Sequence, residues 1–403
     1  MNIGLVTPYF PDEETINSGL ANHFFTLAEA LSNAGHNVVV VHIRPGYNNE
    51  TSTFEKATLK KNVTVLTYKV ALSDAIYKRI KHKWAVTDFM SKIKCMRVAA
   101  KFLPRIKKEY QLDVIETSSY FSLCFFYSLK FPAIPVVTRV STTFLQMMDS
   151  YYPFSSRLLM LIGKMEIKLI KRNKFLITHA HNHAIELEKL FGINAQNFHI
   201  IPHGINVPAE EELSYKINSP LKILYVVRLE YRKGTDVLLQ AIPLVLQKAD
   251  NVVFQLIGRD KDGAYENKFK ANNNGEISGK VTFSGQLDNT ATYKAYAECD
   301  VFIAPSRYES FGLIYIEAMS YGKPVIGCKV GGVPEIIEDN INGLFTNVDD
   351  HVNLYEKIIE LVNNTDVRIS MGKNARDTVI KKFSKEILAE NSIAYYKKAI
   401  ALN

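Results

Sequence analysis

The sequence predicts an α/β fold with two Rossmann-like, doubly wound parallel-sheet domains that face each other across a cleft. A chain of 403 residues is too long for one ordinary hydrophobic core. Its 47% hydrophobic and 22% charged residues are typical of a globular protein. Short β-branched runs alternate with longer stretches of helical period in two separate series, which indicates parallel sheets covered by helices. Ligands of such sheets bind at the carboxyl ends of the strands.

The two series place the domains along the chain. The first predicts an N-terminal domain over residues 1–205, with a helix over residues 20–34 and strands at 3–6, 38–42, 63–68, 113–116 and 136–140. The second predicts a C-terminal domain over residues 221–383, with strands at 221–227, 252–257, 281–283, 301–304 and 324–327. Residues 206–220 are predicted as the linker, because Pro208 and Pro220 resist continuation of a helix or a ladder. Residues 384–403 are helix-like.

Positive charge is concentrated in the first half of the chain. Residues 1–205 hold 25 Lys and Arg against 15 Asp and Glu, which gives this half a net charge of +10, whereas the whole chain has a net charge of +8. Residues 78–108 alone hold 11 basic side chains and one acid, Asp88. Such a cluster can attract an anionic membrane or an acidic acceptor, and a solvated helical face is an equal alternative. Nucleic acid is not expected, since no nucleic-acid motif accompanies the charge.

The cysteines and the hydropathy predict a cytoplasmic protein, with the inner face of the membrane as an alternative position. The four cysteines, Cys95, Cys124, Cys299 and Cys328, are scattered without C-x-x-C spacing, which argues against a disulfide framework or a thiolate metal site. No window of about 18 residues stays apolar, so no membrane span is expected. The amino terminus is predicted as a buried strand and not a signal peptide.

The strongest local signal is a pair of glutamates eight residues apart, Glu309 and Glu317. They follow an apolar strand at 301–304, and Gly312 between them leads into a run of helical period. The amino terminus of a helix presents backbone N–H groups and a positive dipole end, which suit a diphosphate. Carboxylates there suit sugar and ribose hydroxyls. The alternative is a solvated Glu309 and a salt-bridged Glu317 on an ordinary surface loop.

Two weaker signals lie after other predicted strands. Arg228 and Lys233 flank a turn that follows residues 221–227, where two cations could neutralise a diphosphate. Basic residues in turns are ordinarily only solvated, so this pair gains meaning from the glutamate motif. Gly19 follows the first strand, where a glycine permits close approach of the backbone to a ligand.

Together with the His203-Gly204 segment, Gly258, Gly285 and the run from Gly331 to Glu335, these residues resemble glycosyltransferase family 4, a large family of retaining enzymes with the GT-B fold. The resemblance implies a hexosyltransferase that moves a sugar from a UDP- or GDP-sugar to a glycan, lipid or small-molecule acceptor, for example in cell-envelope glycan or glycolipid synthesis. It implies catalytic roles for Arg228, Lys233 and Glu309. It implies that the donor is bound by these three and by Gly19, Gly258, Arg259, Gln286, Leu287, Phe311, Gly312, Leu313 and Glu317. It also implies that residues 1–205 form the acceptor side and that residues 384–403 cross back to them.

The sequence departs from the family after the fifth predicted strand. A histidine commonly lies there, near the transferred sugar, but this chain has Ser141 with Arg139 close by. We therefore treat both as acceptor-side candidates, with a paired structural arginine as the alternative for Arg139. A nucleotide-sugar 2-epimerase of the same architecture and a non-catalytic sugar-nucleotide-binding subunit are the alternative functions.

No metal or other cofactor is expected, because the nucleotide sugar is a substrate and the metal-ligand patterns are weak. Asp260 and Asp262 lie in a loop beside the predicted base site, which is poorly placed for phosphate. His179, His181 and His183 alternate without a supporting acid or cysteine, which is more typical of local structure than of zinc.

Overall fold

The computed structural model describes residues 1–11, 19–46, 50–80, 83–130, 134–151, 157–213 and 218–403. The chain divides into two compact units. Unit 1 consists of Met1–Gly204 together with Lys385–Asn403, and unit 2 consists of Ile205–Ser384. Each unit contains its own sheet, so the predicted pair of parallel-sheet α/β domains is confirmed.

Unit 1 is built on a sheet whose described strands run in the order β3-β4-β2-β1-β5-β6-β7-β8. The strands are β1 (Asn2–Thr7), β2 (Asn37–Gly46), β3 (Thr53–Lys60), β4 (Val63–Ala71), β5 (Val114–Ser118), β6 (Val136–Val140), β7 (Phe175–Thr178) and β8 (Phe198–Ile200). Neighbouring strands are parallel except where β3 pairs antiparallel with β4. This places the carboxyl ends of β1, β5 and β6 at one edge.

Helices cover both faces of this sheet. They are α1 (Gly19–Asn33), α2 (Asp74–Ile80), α3 (Trp84–Tyr110), α4 (Phe125–Lys130), α5 (Phe144–Tyr151), α6 (Arg157–Arg172), α7 (His181–Phe191) and, from the end of the chain, α15 (Lys385–Ala401). Strand β2 contributes to the cores on both faces of the sheet, because successive side chains of a strand point to opposite faces. Val38 and Val40 pack in the core with α1 and α15, whereas Val39 and Val41 pack in the core with α3.

Unit 2 has a wholly parallel sheet in the order β11-β10-β9-β12-β13-β14. The strands are β9 (Leu221–Val226), β10 (Val252–Ile257), β11 (Val281–Phe283), β12 (Val301–Ala304), β13 (Val325–Cys328) and β14 (Gly343–Thr346). The helices are α8 (Thr235–Lys248), α9 (Ala264–Asn272), α10 (Gly275–Gly279), α11 (Asn289–Glu298), α12 (Leu313–Ser320), α13 (His351–Asn363) and α14 (Thr365–Lys382). The sheet reverses its order at β9 and β12, and ligands of such sheets bind at this switch point.

All ten predicted strands overlap observed ones, and four observed strands had not been predicted. β3 was missed because its residues are exposed throughout and carry no apolar stripe. The other strands that had not been predicted, β7, β8 and β14, have three or four residues each. The described part of residues 206–220 packs within unit 2, where Arg376 donates to the Pro208 carbonyl at 2.9 Å. None of the described helices combines the length and the apolar character that crossing a membrane requires.

Candidate active site

The candidate site lies at the carboxyl edge of the unit 2 sheet, where two loops leave adjacent strands. One loop follows β9 and carries Arg228 and Lys233, and the other follows β12 and carries Glu309. β9 and β12 are hydrogen-bonded neighbours and run parallel, so both loops emerge at the same edge. This edge is the switch point of the sheet.

The loop after β9 is fixed by hydrogen bonds inside the turn. The Thr235 hydroxyl donates to the Glu230 carbonyl at 3.1 Å and accepts from the Glu230 N–H at 3.1 Å. The Tyr225 hydroxyl donates to the Lys233 carbonyl at 3.0 Å. Gly234 ends the turn at φ 67°, and a Cβ atom there would lie 1.9 Å from the Pro305 carbonyl oxygen. Only glycine therefore lets this turn pack against the loop after β12.

Lys233 and Glu309 form the central pair of the site. The Lys233 Nζ donates to the Glu309 Oε1 at 2.6 Å, and the Ser306 hydroxyl donates to the same oxygen at 3.0 Å. Only 12% of the Lys233 side chain and 10% of the Glu309 side chain are exposed, so water screens the pair weakly. Burial lowers the pKa of Lys233, and the adjacent Glu309 carboxylate opposes that shift. Ser306 was not among the predicted site residues, although it lies two residues after the end of β12.

The backbone of Glu309 is held from the neighbouring strand. The segment that follows β13 packs against this backbone, and the Gly332 N–H donates to the Glu309 carbonyl at 3.1 Å. Gly331 has φ 50°, and a Cβ atom there would lie 1.8 Å from that carbonyl oxygen. These glycines belong to the run from Gly331 to Glu335 that contributed to the family resemblance, and the structure gives them a packing role behind Glu309.

Arg228 lies nearer to solvent than Lys233. Its side chain is 55% exposed, and its Nη2 is 3.6 Å from the Glu230 Oε1. Arg232 reaches the same oxygen at 3.1 Å and donates to the Tyr308 carbonyl at 3.4 Å. Arg228 and Arg232 therefore share Glu230, and Arg232 joins the loop after β9 to the loop after β12.

A second clamp between these loops is formed by Arg307, which the sequence analysis did not assign. Its guanidinium donates to both oxygens of Asp236 at 2.7 and 2.8 Å and to Asp349 at 2.6 Å. It also lies 3.6 Å from the ring centroid of Tyr231. Burial would raise the pKa of Asp236, but the bonds from Arg307 outweigh it and lower that pKa. Bidentate geometry makes this a positioning contact for the loop that carries Glu309.

The residues predicted to meet the base lie beside Arg228. The Leu229 N–H donates to the Arg259 carbonyl at 3.0 Å, and the Gly258 N–H donates to the Gly285 carbonyl at 2.8 Å. These bonds align the ends of β9, β10 and β11. Arg259 and Gln286 are exposed, whereas Leu287 is partly buried against the core of unit 2.

The remaining predicted donor residues lie at the start of α12. Gly312 precedes the helix with φ 112°, Leu313 is its first residue, and Phe311 is buried beside Phe383. Glu317 lies on the helix and accepts from the Tyr296 hydroxyl of α11 at 3.0 Å. Burial raises the pKa of Glu317, and the tyrosine hydroxyl opposes that rise. Of the four principal groups, Lys233 and Glu309 are thus in direct contact, whereas Arg228 contacts Glu230 and Glu317 contacts Tyr296.

In unit 1, Arg139 lies in the interior and not at an acceptor-facing surface, which corrects its assignment as an acceptor-side candidate. Its Nε donates to the Glu116 Oε1 at 2.7 Å, and its Nη2 donates to the Glu116 Oε2 at 3.3 Å and the Ser392 hydroxyl at 3.4 Å. The Tyr396 hydroxyl donates to the Glu116 Oε2 at 2.6 Å. Arg139 is only 3% exposed. A buried guanidinium needs such partners, because they offset the cost of removing its charge from water.

The other two unit 1 candidates are accessible. Gly19 is exposed and begins α1, and the adjacent residues 12–18 lie outside the described residues. Ser141 is half-buried directly after β6. Ser141 lies at the carboxyl end of β6, the edge at which ligands of parallel sheets bind.

Four histidines gather in unit 1: His23, His179 and His183 are buried, and His203 is half-buried. His203 Nδ1 is 3.0 Å from His23 Nδ1, and the ring of His179 stacks on those of His183 and His203, with centroids 4.4 and 5.0 Å apart. Burial lowers the pKa values of His23, His183 and His203 well below the ordinary value. The parts of the chain that the structure describes contain no group of three or more His, Cys, Asp or Glu placed to hold a metal ion. Burial favours the neutral forms of His23, His183 and His203, which pack together with His179.

Comparison with known proteins identifies the family. The model of "Glycosyltransferase Family 4" matches residues 17–208, and the model of "Glycosyl transferases group 1" matches residues 210–378. The chain belongs to glycosyltransferase family 4. The match to the group 1 model contains Arg228, Lys233, Glu309 and Glu317. The match to the family 4 model contains Gly19 and Ser141.

Individual relatives cover less of this family 4 protein. An uncharacterized glycosyltransferase of Methanocaldococcus jannaschii is 28% identical over 217 residues, which are 52% of this chain and 53% of the relative. The N-acetyl-alpha-D-glucosaminyl L-malate synthase of Bacillus anthracis is 36% identical over 30% of this chain and 31% of its own length. The chain spans about half the length of the first curated relatives that it matches.

Solved structures establish the fold of this family 4 protein as GT-B. Sucrose-phosphate synthase of Thermosynechococcus elongatus has a TM-score of 0.72 at 19% identity and covers 100% of both chains. HepE of Anabaena, solved in complex with UDP, has a TM-score of 0.69 at 18% identity and covers 99% of this chain and 100% of its own. At such identities the likeness shows the fold alone, and the predicted GT-B fold is confirmed.

Proposed function

We propose that this protein is a retaining glycosyltransferase that moves a sugar from a nucleotide diphosphate sugar to an acceptor hydroxyl without a metal ion. The observation that supports this best is the buried Lys233–Glu309 pair at the switch point of the unit 2 sheet, with a Nζ–Oε1 distance of 2.6 Å. A UDP-sugar is the favoured donor, because HepE of Anabaena was solved with UDP and with UDP and glucose.

The chemistry that we propose is a front-face substitution. The bond between the anomeric carbon and the diphosphate oxygen breaks while the acceptor oxygen bonds to the same face of that carbon. The acceptor proton passes to the departing phosphate oxygen. Lys233, Arg228 and the amino terminus of α12 would stabilise the negative charge that grows on the diphosphate. No side chain needs to form a covalent intermediate.

Glu309 would act at the transferred sugar. Its carboxylate is held by Lys233 and Ser306, and its backbone is held by Gly332, so little reorganisation is needed when a sugar hydroxyl donates to it. Glu317 would accept from the ribose hydroxyls, and the segments at Gly258–Arg259 and Gln286–Leu287 would meet the base. Phe311, Gly312 and Leu313 would lie against sugar and phosphate.

The acceptor is proposed to be a glycan, lipid or small molecule on the unit 1 side, near Gly19 and Ser141. We also propose a cytoplasmic protein that contacts the inner face of an anionic membrane. All four cysteines are buried free thiols, which fits a reducing compartment.

The test begins with the donor. Thermal-shift screening of UDP-, GDP- and ADP-sugars should identify one that raises the melting temperature, because a ligand of the native state stabilises it by mass action. Glu309→Gln should then retain donor binding and lose at least about a hundredfold in transfer across an acceptor panel. Glu298→Gln, on the exposed end of α11, is the matched control and should be unchanged. Unchanged transfer by the Glu309 variant would contradict its role.

The same assays separate the alternatives. An epimerised sugar nucleotide after incubation of the wild-type protein with donor alone would indicate a nucleotide-sugar 2-epimerase. Tight donor binding without transfer to any acceptor in the panel would indicate a non-catalytic binding subunit.

A further inference from the structure

Three helices of unit 1 pack side by side and leave their outer faces to solvent. An apolar seam joins α3, α4 and α6, formed by Phe89, Ile93, Met96, Phe125, Phe126, Ile162, Met165 and Leu169. Because each helix uses one face for this seam and for the sheet, its opposite face is exposed. The charges on those outer faces can therefore be assigned residue by residue.

The outer face of α6 is a basic stripe. Its exposed residues are Arg157, Leu161, Lys164, Lys168, Lys171 and Arg172. These positions recur every three or four residues, which places them along one side of the helix. The single acid of α6, Glu166, is fully buried and accepts from the Ser119 hydroxyl at 2.7 Å and the Phe144 N–H at 2.7 Å. No acid of α6 therefore offsets the stripe.

The outer face of α3 continues this pattern. Its exposed cations are Arg97, Lys101, Arg105 and Lys108. Two other cations within residues 78–108 point inward: Lys92 is buried against Asp88, and Lys94 donates to the Ala71 carbonyl. The exposed cationic surface thus differs from the basic segment at residues 78–108. It excludes the inward-pointing cations of α3 and includes the exposed cations of α6.

These outward cations have no acidic partners among the described residues of the three helices. Glu109 is the one exposed carboxylate on the described parts of α3, α4 and α6, and it is not within ion-pair distance of any of the cations named above. Some cations of unit 2 do have carboxylate partners, among them Lys233, Arg307 and Arg376. Clustered unpaired cations repel one another, and an anionic surface would relieve that repulsion.

Apolar side chains accompany the cations. Trp84 at the start of α3 is 57% exposed, Leu161 on α6 is 44% exposed and Leu129 on α4 is 41% exposed. We infer that the outer faces of α3, α4 and α6 form one docking surface for an anionic lipid bilayer. Lipid phosphates would meet the lysines and arginines, while tryptophan and leucine would enter the boundary between headgroups and acyl chains. A nucleic acid would use the cations but not the leucines.

This inference deepens the membrane contact proposed above, and its test uses no sugar nucleotide. Vesicles of phosphatidylcholine mixed with phosphatidylglycerol are floated with the full chain at low salt, with pure phosphatidylcholine vesicles alongside. The variant carries Lys164→Gln, Lys168→Gln and Lys171→Gln on α6. The matched control carries Lys373→Gln, Lys381→Gln and Lys382→Gln, three exposed lysines on α14 of unit 2.

Each cation near an anionic surface is worth about a fivefold change in partitioning, so the α6 variant should bind about a hundredfold less tightly. The α14 control should bind like the wild type, and salt should release both. Trp84, which is the single tryptophan, should shift its emission to the blue on anionic vesicles. Equal loss in the α6 and α14 variants would overturn the inference. So would binding to single-stranded RNA at least as tight as to vesicles, with no shift of Trp84 emission.

Since donor binding is measured separately by thermal shift, failure of flotation leaves the transfer reaction unaffected. The α6 variant should also melt at the wild-type temperature, because its three lysines are exposed and form no ion pair with the described residues. A protein that lost flotation through unfolding would fail this check.

Discussion

The histidine cluster predicts that unit 1 loses stability in mild acid. Desolvation lowers the pKa of His23, His183 and His203 well below the ordinary value. Their neighbours add to this effect, since His179 and the Arg139 guanidinium disfavour another positive charge. A group whose folded pKa is lowered takes up protons mainly on unfolding. Its contribution to stability is therefore complete above the unfolded pKa and falls as the pH drops below it.

The magnitude follows from proton linkage. Below an unfolded histidine pKa of about 6.5, each ring that stays neutral in the folded state costs about 1.4 kcal/mol per pH unit. Three such rings lower the free energy of unfolding by about 4 kcal/mol between about pH 7.5 and pH 5.5. Glu166 has the opposite effect on stability. Burial raises its pKa to about 7, so on acidification this carboxylate is protonated in the folded state before it is protonated in the unfolded state. Its share is about 2 kcal/mol, which leaves a net loss of about 2 kcal/mol.

The two contributions can be separated by urea unfolding at both pH values, with Trp84 fluorescence as the reporter of unit 1. Glu166→Gln keeps an acceptor for the Phe144 N–H and removes the opposing proton, so this variant should lose about 4 kcal/mol on acidification where the wild type loses about 2. His23→Asn should reduce the loss by about 1.4 kcal/mol. An acid dependence that is the same in wild type and both variants would refute the assignment of the protons to these groups.

Three further predictions concern single side chains. Arg139→Gln should lower the free energy of unfolding by about 3–5 kcal/mol in urea titrations, because it leaves the buried Glu116 carboxylate without its cation; a loss below about 1 kcal/mol would contradict the pairing. Gly234→Ala should destabilise by at least about 2 kcal/mol and weaken donor binding, whereas Gly275→Ala, with open space around it, should be neutral in calorimetry. Arg228→Ala should leave stability within about 0.5 kcal/mol, since its side chain is 55% exposed, yet weaken binding of the UDP diphosphate at least about tenfold by titration calorimetry; equal affinity would exclude the contact.

The parts of the fold that the sequence could predict are those with a local cause. β10 and β12 are runs of apolar residues bounded by polar segments, so they were predicted within their observed bounds. Parallel strands bring their carboxyl ends to one edge, so the loops with Lys233 and Glu309 could be expected to meet before any distance was known. The direct Nζ–Oε1 contact of 2.6 Å is the local consequence of that topology.

The parts that the sequence could not predict depend on contacts between distant residues. Arg139 is joined to Ser392 across 253 positions, and Tyr396 reaches Glu116 across 280. His23 meets His203 across 180 positions. No periodicity within a short window contains such pairs, so whether Arg139 was a ligand contact or a structural cation stayed open until packing assigned its partners. β3 shows the opposite limit, since an exposed edge strand carries no burial pattern at all.

Burial alone does not separate a site carboxylate from a structural one in this chain. Glu116, Glu166 and Glu309 are all buried among the described residues. Glu116 lies in the middle of β5 with its charge taken by Arg139, and Glu166 lies within α6, where its raised pKa favours the neutral form. Glu309 differs by its position, because it follows a strand end at the switch point and its backbone is packed by glycines that no side chain could replace. A carboxylate beside a buried lysine at that edge can accept a ligand hydroxyl, whereas the other two are enclosed within secondary structure.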